Sequence, residues 1–253
     1  MNQLFLRAVA IDWDAVPRDA YVRGISALTF EGPLTLPSAV TCLVGENGSG
    51  KSTLLEGIAA ALGFSREGGN LHHRVFTYEE ADGLGDSVRL IRGVRKPRRG
   101  YFLRAESLYN VATKAEEYRL SGLGVSSKED YYARFGGRSL HDQSHGEGFL
   151  RLVQGEFGPD GLYLLDEPEA ALSPQRQLTL LYEVHRLSKA GAQFIIATHS
   201  PILLGLPGAA LLSFDDGAVH PVGYRDTASY QVMEMFINRR DGFLRRLLGE
   251  ELS

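Results

Sequence analysis

A glycine-rich run, Gly45-Glu46-Asn47-Gly48-Ser49-Gly50-Lys51-Ser52-Thr53, constrains this chain more than any other feature. The segment before it, Ala39 to Glu46, is a short apolar run bounded by turn residues, the composition of a buried parallel strand. The segment after it, Ser52 to Phe64, spaces its apolar residues as a helix does and meets Gly63 where a helix would stop. Gly45, Gly50, Lys51 and Ser52 satisfy G-x-x-x-x-G-K-[ST]. Glycines let such a loop curl so that successive N–H groups aim at phosphate oxygens. A helix starting near Lys51 adds its positive dipole end at the same anion. Lys51 then supplies a point charge to the β- and γ-phosphates, and the Ser52 hydroxyl is a magnesium ligand. The alternative is a plain glycine turn, but chance would give the whole pattern in only about one in a hundred such chains.

Two further segments belong with that loop. Leu162 to Leu172 reads LYLLDEPEAAL, a buried strand that ends in Asp166 and Glu167, with Pro168 as its stop. Ligands of open α/β sheets bind at that edge. Asp166 is expected to hold magnesium through water, and Glu167 to orient and deprotonate an attacking water. His199 closes the next apolar run, QFIIAT, where it can hydrogen-bond a γ-phosphate and the attacking water. Taken alone, two acids ending a strand or one histidine after a strand would be incidental.

Strands alternating with helices at both ends predict an α/β fold with a largely parallel sheet, and the irregular middle reads as an inserted subdomain. Leu4–Ile11, Ser87–Val94 and Gly100–Ala105 are strand candidates, and 106–120 a helix. Glu147–Glu156 and Pro174–Lys189 are helix candidates, Ala210–Phe214 and Ala218–Tyr224 a hairpin, and Ser229–Leu248 one or two helices. At 253 residues, net charge −4 and 43% hydrophobic content, the chain has ordinary globular composition. No apolar stretch reaches the roughly 18–20 residues of a membrane helix, and the start lacks a signal-peptide pattern. The single cysteine, Cys42, lies in an apolar run and reads as an inert core thiol in a reducing compartment. The expectation is a cytoplasmic chain without direct membrane insertion.

Together the segments resemble the ATP-binding-cassette (ABC) ATPase superfamily. Lys51 to Ser144 is 93 residues, Ser144 to Asp166 is 22, and Asp166 to His199 is 33, intervals that suit it. The resemblance implies one ABC-type P-loop domain over residues 1–253, with an N-terminal antiparallel β portion and an inserted helical and signature subdomain at about 104–157. It implies ATP and Mg²⁺ as ligands, with hydrolysis. It also implies an ATP-state homodimer in which Ser144 and the N–H of Gly146 close on the other chain's γ-phosphate. The segments Val44–Glu56 and Arg104–Asn110, with Glu169 and Ser173 after the acidic strand, look closest to small stand-alone bacterial ATPases. These are related to heads of chromosome maintenance and recombination repair.

Three departures from that pattern are visible. Glu106 stands where a glutamine normally couples magnesium to the helical subdomain, Tyr21 offers adenine stacking with core packing as its expected role, and no coiled-coil arm is present. Arg89, Arg92, Arg95, Lys96, Arg98, Arg99 and Arg104 crowd one segment, a solvated edge or partner surface with nucleic acid as the alternative. His72, His73 and Arg74 form a smaller basic group, with Arg74 a candidate nucleotide contact. Tyr230, Met233, Phe236 and Ile237 form a helical stripe expected to pack in the core. The main reading is a switch ATPase with a DNA or protein partner. An ABC transporter subunit and a P-loop small-molecule kinase are the alternatives.

Overall fold

The computed structural model describes residues 4–65, 68–70, 84–106, 113, 135, 137–139 and 142–249. In chain order the elements are β1 (Leu6–Ile11), β2 (Leu34–Thr35), β3 (Val40–Val44), α1 (Lys51–Leu62), β4 (Gly69–Asn70), β5 (Val88–Arg92) and β6 (Arg99–Arg104). They continue with α2 (His145–Glu156), β7 (Gly161–Asp166), α3 (Pro174–Lys189), β8 (Gln193–Ala197) and α4 (Pro201–Leu204). The last are β9 (Ala210–Ser213), β10 (His220–Pro221), α5 (Ala228–Asn238) and α6 (Arg240–Leu248).

The central sheet runs β10-β9-β3-β8-β7-β6-β4. Its five inner strands are parallel, and β10 and β4 pair antiparallel at its edges. A second sheet, β2-β1-β5, is antiparallel and supplies the expected N-terminal portion.

Every residue of β3, β7 and β8 is buried, as strands covered on both faces must be. Alternation then sorts their side chains into two cores. Leu43, Leu162, Leu164, Ile195 and Ala197 face Leu6 and Val9 of β1 and Leu54 and Ile58 of α1. Cys42, Val44, Tyr163, Leu165, Phe194 and Ile196 face Phe149 and Leu152 of α2 and Leu180 and Val184 of α3. Phe157 stacks on Tyr163 at 4.1 Å in the second core. Gln193, 1% exposed, ties β8 to the antiparallel sheet: its Oε1 accepts from the N–H groups of Phe5 and Leu6 at 2.9 Å, and its Nε2 donates to the Leu6 carbonyl at 2.7 Å. Helix α3 begins at Pro174, a residue suited to a first turn, and Gly191 just beyond it takes the left-handed backbone that stops it.

The expectation for the stripe of Tyr230, Met233, Phe236 and Ile237 is overturned. Tyr230, Met233, Phe236 and Ile237 lie on α5 as foreseen, but α5 and α6 bury none of their residues, and Met233, Phe236 and Ile237 are 45, 40 and 68% exposed. The amphipathic spacing is real, yet its neighbours, such as Tyr224 against Tyr230 and Phe243 of α6 against Phe236, leave that face largely exposed. His72, His73 and Arg74, the helix expected after Glu106, and much of the segment 104–157 lie outside the described residues.

Candidate functional site

The turn between β3 and α1 is shaped by its glycines. Gly45, Gly48 and Gly50 have φ of 143, 81 and 102°, backbone that side chains rarely adopt. At Gly50 a β-carbon would also stand 2.6 Å from Ile25 Cγ2. Lys51, 3% exposed, folds back over the loop, and its Nζ donates to the carbonyls of Gly45 (2.7 Å) and Glu46 (2.8 Å) and to Ser49 Oγ (3.4 Å). Burial lowers the Lys51 pKa, and the carboxylates of Glu167, Asp215, Asp166 and Glu46 oppose that shift. The loop is braced from β9's end, where Asp215 Oδ1 accepts from the Glu46 N–H at 2.8 Å.

Sheet order brings the acidic strand to the loop. β7 lies two strands from β3, with β8 between them. Ser52 Oγ, in the first turn of α1, donates to Asp166 Oδ1 at 2.8 Å. Burial pushes the Asp166 carboxyl up to about 6, against the lowering effects of the Ser52 hydrogen bond and of Arg104. Arg104 ends β6 directly opposite Asp166 in the ladder. Its Nη1 lies 2.9 Å from Glu56 Oε1 and its Nε 3.4 Å from Asp166 Oδ2.

Glu167 adopts left-handed backbone (φ 45°, ψ 50°), uncommon for a residue with a side chain, at the point where the strand gives way to a 3₁₀ turn. Its Oε1 stands 3.6 Å from His199 Nε2, a buried atom without a hydrogen-bond partner among the described residues. Glu169 holds the histidine's backbone, accepting the N–H groups of His199 (2.5 Å) and Ser200 (3.1 Å) on one oxygen.

Asn47, Gly48, Gly50, Lys51, Ser52, Thr53, Glu167 and Tyr21 line one cleft of about 310 Å³. Tyr21, expected in the core, is 59% exposed at its mouth. Ser144 and Gly146 stand elsewhere. Ser144 precedes α2 and donates to Glu147 Oε2 at 2.9 Å. Gly146 is packed so tightly that a β-carbon would lie 2.8 Å from the Ala171 carbonyl. Glu106 is exposed. The basic stretch is divided, with Arg89 paired to Asp12, Arg95 to Asp160, and Arg104 turned to the site.

The donor set suits magnesium. Ser52 and Asp166 offer hard oxygens side by side, and no larger cluster of His, Cys, Asp or Glu able to hold a metal exists among the described residues. Sequence reading missed three supporting residues: Glu169 stands out there only as a subclass marker, Asp215 falls between the two hairpin segments, and Arg104 is one of a basic run and the first residue of the Arg104–Asn110 subclass segment. Only sheet order reveals their partners.

Comparison with known proteins finds related sequences and a related fold. Residues 23–130 match a family described as "AAA domain", and residues 137–205 one described as "AAA domain, putative AbiEii toxin, Type IV TA system". Over those two segments the chain is similar to AAA-type domains. The chain is 27% identical to the hemin import ATP-binding protein HmuV of Pseudomonas fluorescens, covering 74% of the chain and 77% of that protein. It is 26% identical to the ABC transporter G family member STR2 of Medicago truncatula over 64% of the chain, but spans only 24% of that relative's length. Among solved structures, cbiO1 of Clostridium perfringens, part of the ABC transporter complex cbiONQ, superposes with a TM-score of 0.51 at 15% identity, covering 98% of this chain and 100% of cbiO1. No helix among the described residues is long and apolar enough to cross a membrane.

Proposed function

We propose that this chain binds ATP with magnesium at the Lys51 loop, hydrolyses it in the cytoplasm, and works as a switch in which two copies pair head to tail. The observation that carries the reading is the 2.8 Å hydrogen bond from Ser52 to Asp166, which joins the phosphate loop to the acidic strand end beside Glu167 and His199. The loop N–H groups of Asn47, Gly48 and Gly50 to Thr53 hold phosphate oxygens, with Lys51 as the charge and Tyr21 stacking on the base. Ser52 and Asp166 hold magnesium, which when bound neutralises charge on the phosphates.

Glu167 takes a proton from water as the water oxygen bonds to the γ-phosphorus. The bond from that phosphorus to the β–γ bridging oxygen breaks, and ADP keeps the electron pair. His199 Nε2 orients the γ-phosphate and the water. Ser144 and Gly146 of the partner subunit complete the site, which fits their place away from the cleft in their own chain.

Glu167→Gln, which holds the geometry but removes the base, should drive the chain to a dimer in ATP and not in ADP, read by light scattering. A monomer in ATP would sink the head-to-tail pairing, whereas phosphate release by the wild-type chain tests hydrolysis separately. The same assay with added DNA tests the link to DNA maintenance. The names of the transporter relatives favour a second reading, an ATP-binding subunit of a transporter. Genes for membrane-spanning permeases beside this one would support it.

A further inference from the structure

We infer that Arg104 is a positioning residue that holds the Asp166 carboxylate in place of a cation and competes with magnesium for it, with Glu56 as the group that draws the arginine aside. The inference rests on Ser52 and Asp166 forming the cation site.

Arg104 ends β6 and sits directly across the ladder from Asp166, so its side chain and the carboxylate share one sheet edge. The two oxygens of Asp166 are faced differently. Oδ1 accepts the Ser52 hydroxyl at 2.8 Å, and Oδ2 faces Arg104 Nε at 3.4 Å. That Nε is buried and makes no hydrogen bond among the described residues, so the contact is one of charge without alignment. The guanidinium's shorter contact, 2.9 Å, goes to Glu56. Glu56 is four residues after Ser52 on α1 and so stands on the same helix face, one turn further on.

The surroundings make these charges count. Asp166's side chain is 5% exposed and that of Arg104 26%. A divalent cation on Ser52 and Asp166 would be repelled by a guanidinium already facing that carboxylate, and the repulsion is strong where water is scarce. The guanidinium must then give up its contact with the carboxylate. Cation affinity is therefore set lower than Asp166 alone would give, and cation arrival leaves Arg104 with Glu56 alone, already its shorter contact.

A brace that merely supported the sheet edge would weaken the site on removal. Competition predicts opposite signs for the two partners. Mn²⁺ is titrated into equimolar protein and ADP, and free Mn²⁺ is read by electron paramagnetic resonance. R104Q and R104M should each bind Mn²⁺ about three- to tenfold more tightly than the wild type, and E56Q should bind it more weakly, because Arg104 then has only Asp166. Unchanged or weaker binding in folded R104Q or R104M overturns the inference, as does a shift of E56Q in the same direction as theirs. If neither Arg104 variant folds by circular dichroism, the arginine is a structural brace and the inference fails. Loss of binding in Asp166→Asn confirms the site under test. A wild-type chain that takes up no Mn²⁺ beyond that of ADP alone would instead defeat the cation-site reading on which the inference stands.

Discussion

At the scale of single residues, the site is a set of groups held in states they would not choose in water. Asp166 is the clearest. Its carboxyl is raised from the ordinary 3.8 to about 6, chiefly by burial. The folded chain therefore binds a proton there more tightly than the unfolded chain, and the sign follows: stability falls as pH rises from about 4 through 6, and the full penalty persists above. A rise of that size corresponds to roughly 3 kcal/mol at most. Asp166→Asn should thus unfold at higher urea than the metal-free wild type at pH 7.5, by about 1–3 kcal/mol, with the gap closing below about pH 4. A gap that ignores pH would show that the carboxylate is not held against its preference. Cys42 is the contrasting case: burial pushes its thiol up to about 12, and it takes no part in the site.

At the scale of elements, burial separates helices that hold the fold from helices that lie upon it. Along α3, Leu180, Val184 and Leu187 turn one face to the sheet and are buried. α5 has comparable amphipathic spacing and buries nothing. Two isoleucines test the difference. Ile195 in β8 is fully buried, whereas Ile237 in α5 is 68% exposed. Ile195→Ala should destabilise by about 2–5 kcal/mol and Ile237→Ala by less than about 0.5, measured by urea unfolding. A cost above about 1 kcal/mol at Ile237 would mean that something covers α5 in solution.

At the scale of the whole molecule, the two sheets must stay in register for the loop to keep its place, because α1 packs against β5 of the antiparallel sheet and against β7 and β8 of the parallel one. Gln193 is the polar tie between them. Gln193→Ala would leave the N–H groups of Phe5 and Leu6 and the carbonyl of Leu6 buried without that partner. The expected cost is about 2–4 kcal/mol by urea unfolding. Gln193→Glu should also destabilise, since a carboxylate keeps the acceptor but cannot donate to Leu6. If Gln193→Ala unfolds with the wild-type midpoint, the tie is not structural.

Much of this is legible in the chain itself. Wherever a local rule decides the matter, as with the glycines that permit the loop's curl, the all-apolar strands of a doubly covered sheet and the proline that opens α3, sequence and fold agree. The loop of Gly45 to Thr53, the acidic strand end at Asp166 and Glu167 and the histidine at 199 are visible on those grounds. Their meeting is not, because it depends on strand order. β3, β8 and β7 are neighbours in space though more than a hundred residues separate the first from the others. The same cause hides Arg104, which reads as one arginine among many until β6 sets it against Asp166. It also hides Glu169, and misplaces Tyr21 and the α5 stripe, since an apolar face announces itself in sequence but its cover does not. The sequence by itself determined which chemistry the chain carries, because that chemistry rests on residue types at short spacing. Only the tertiary structure decided which charges face one another, because that is set by long-range packing.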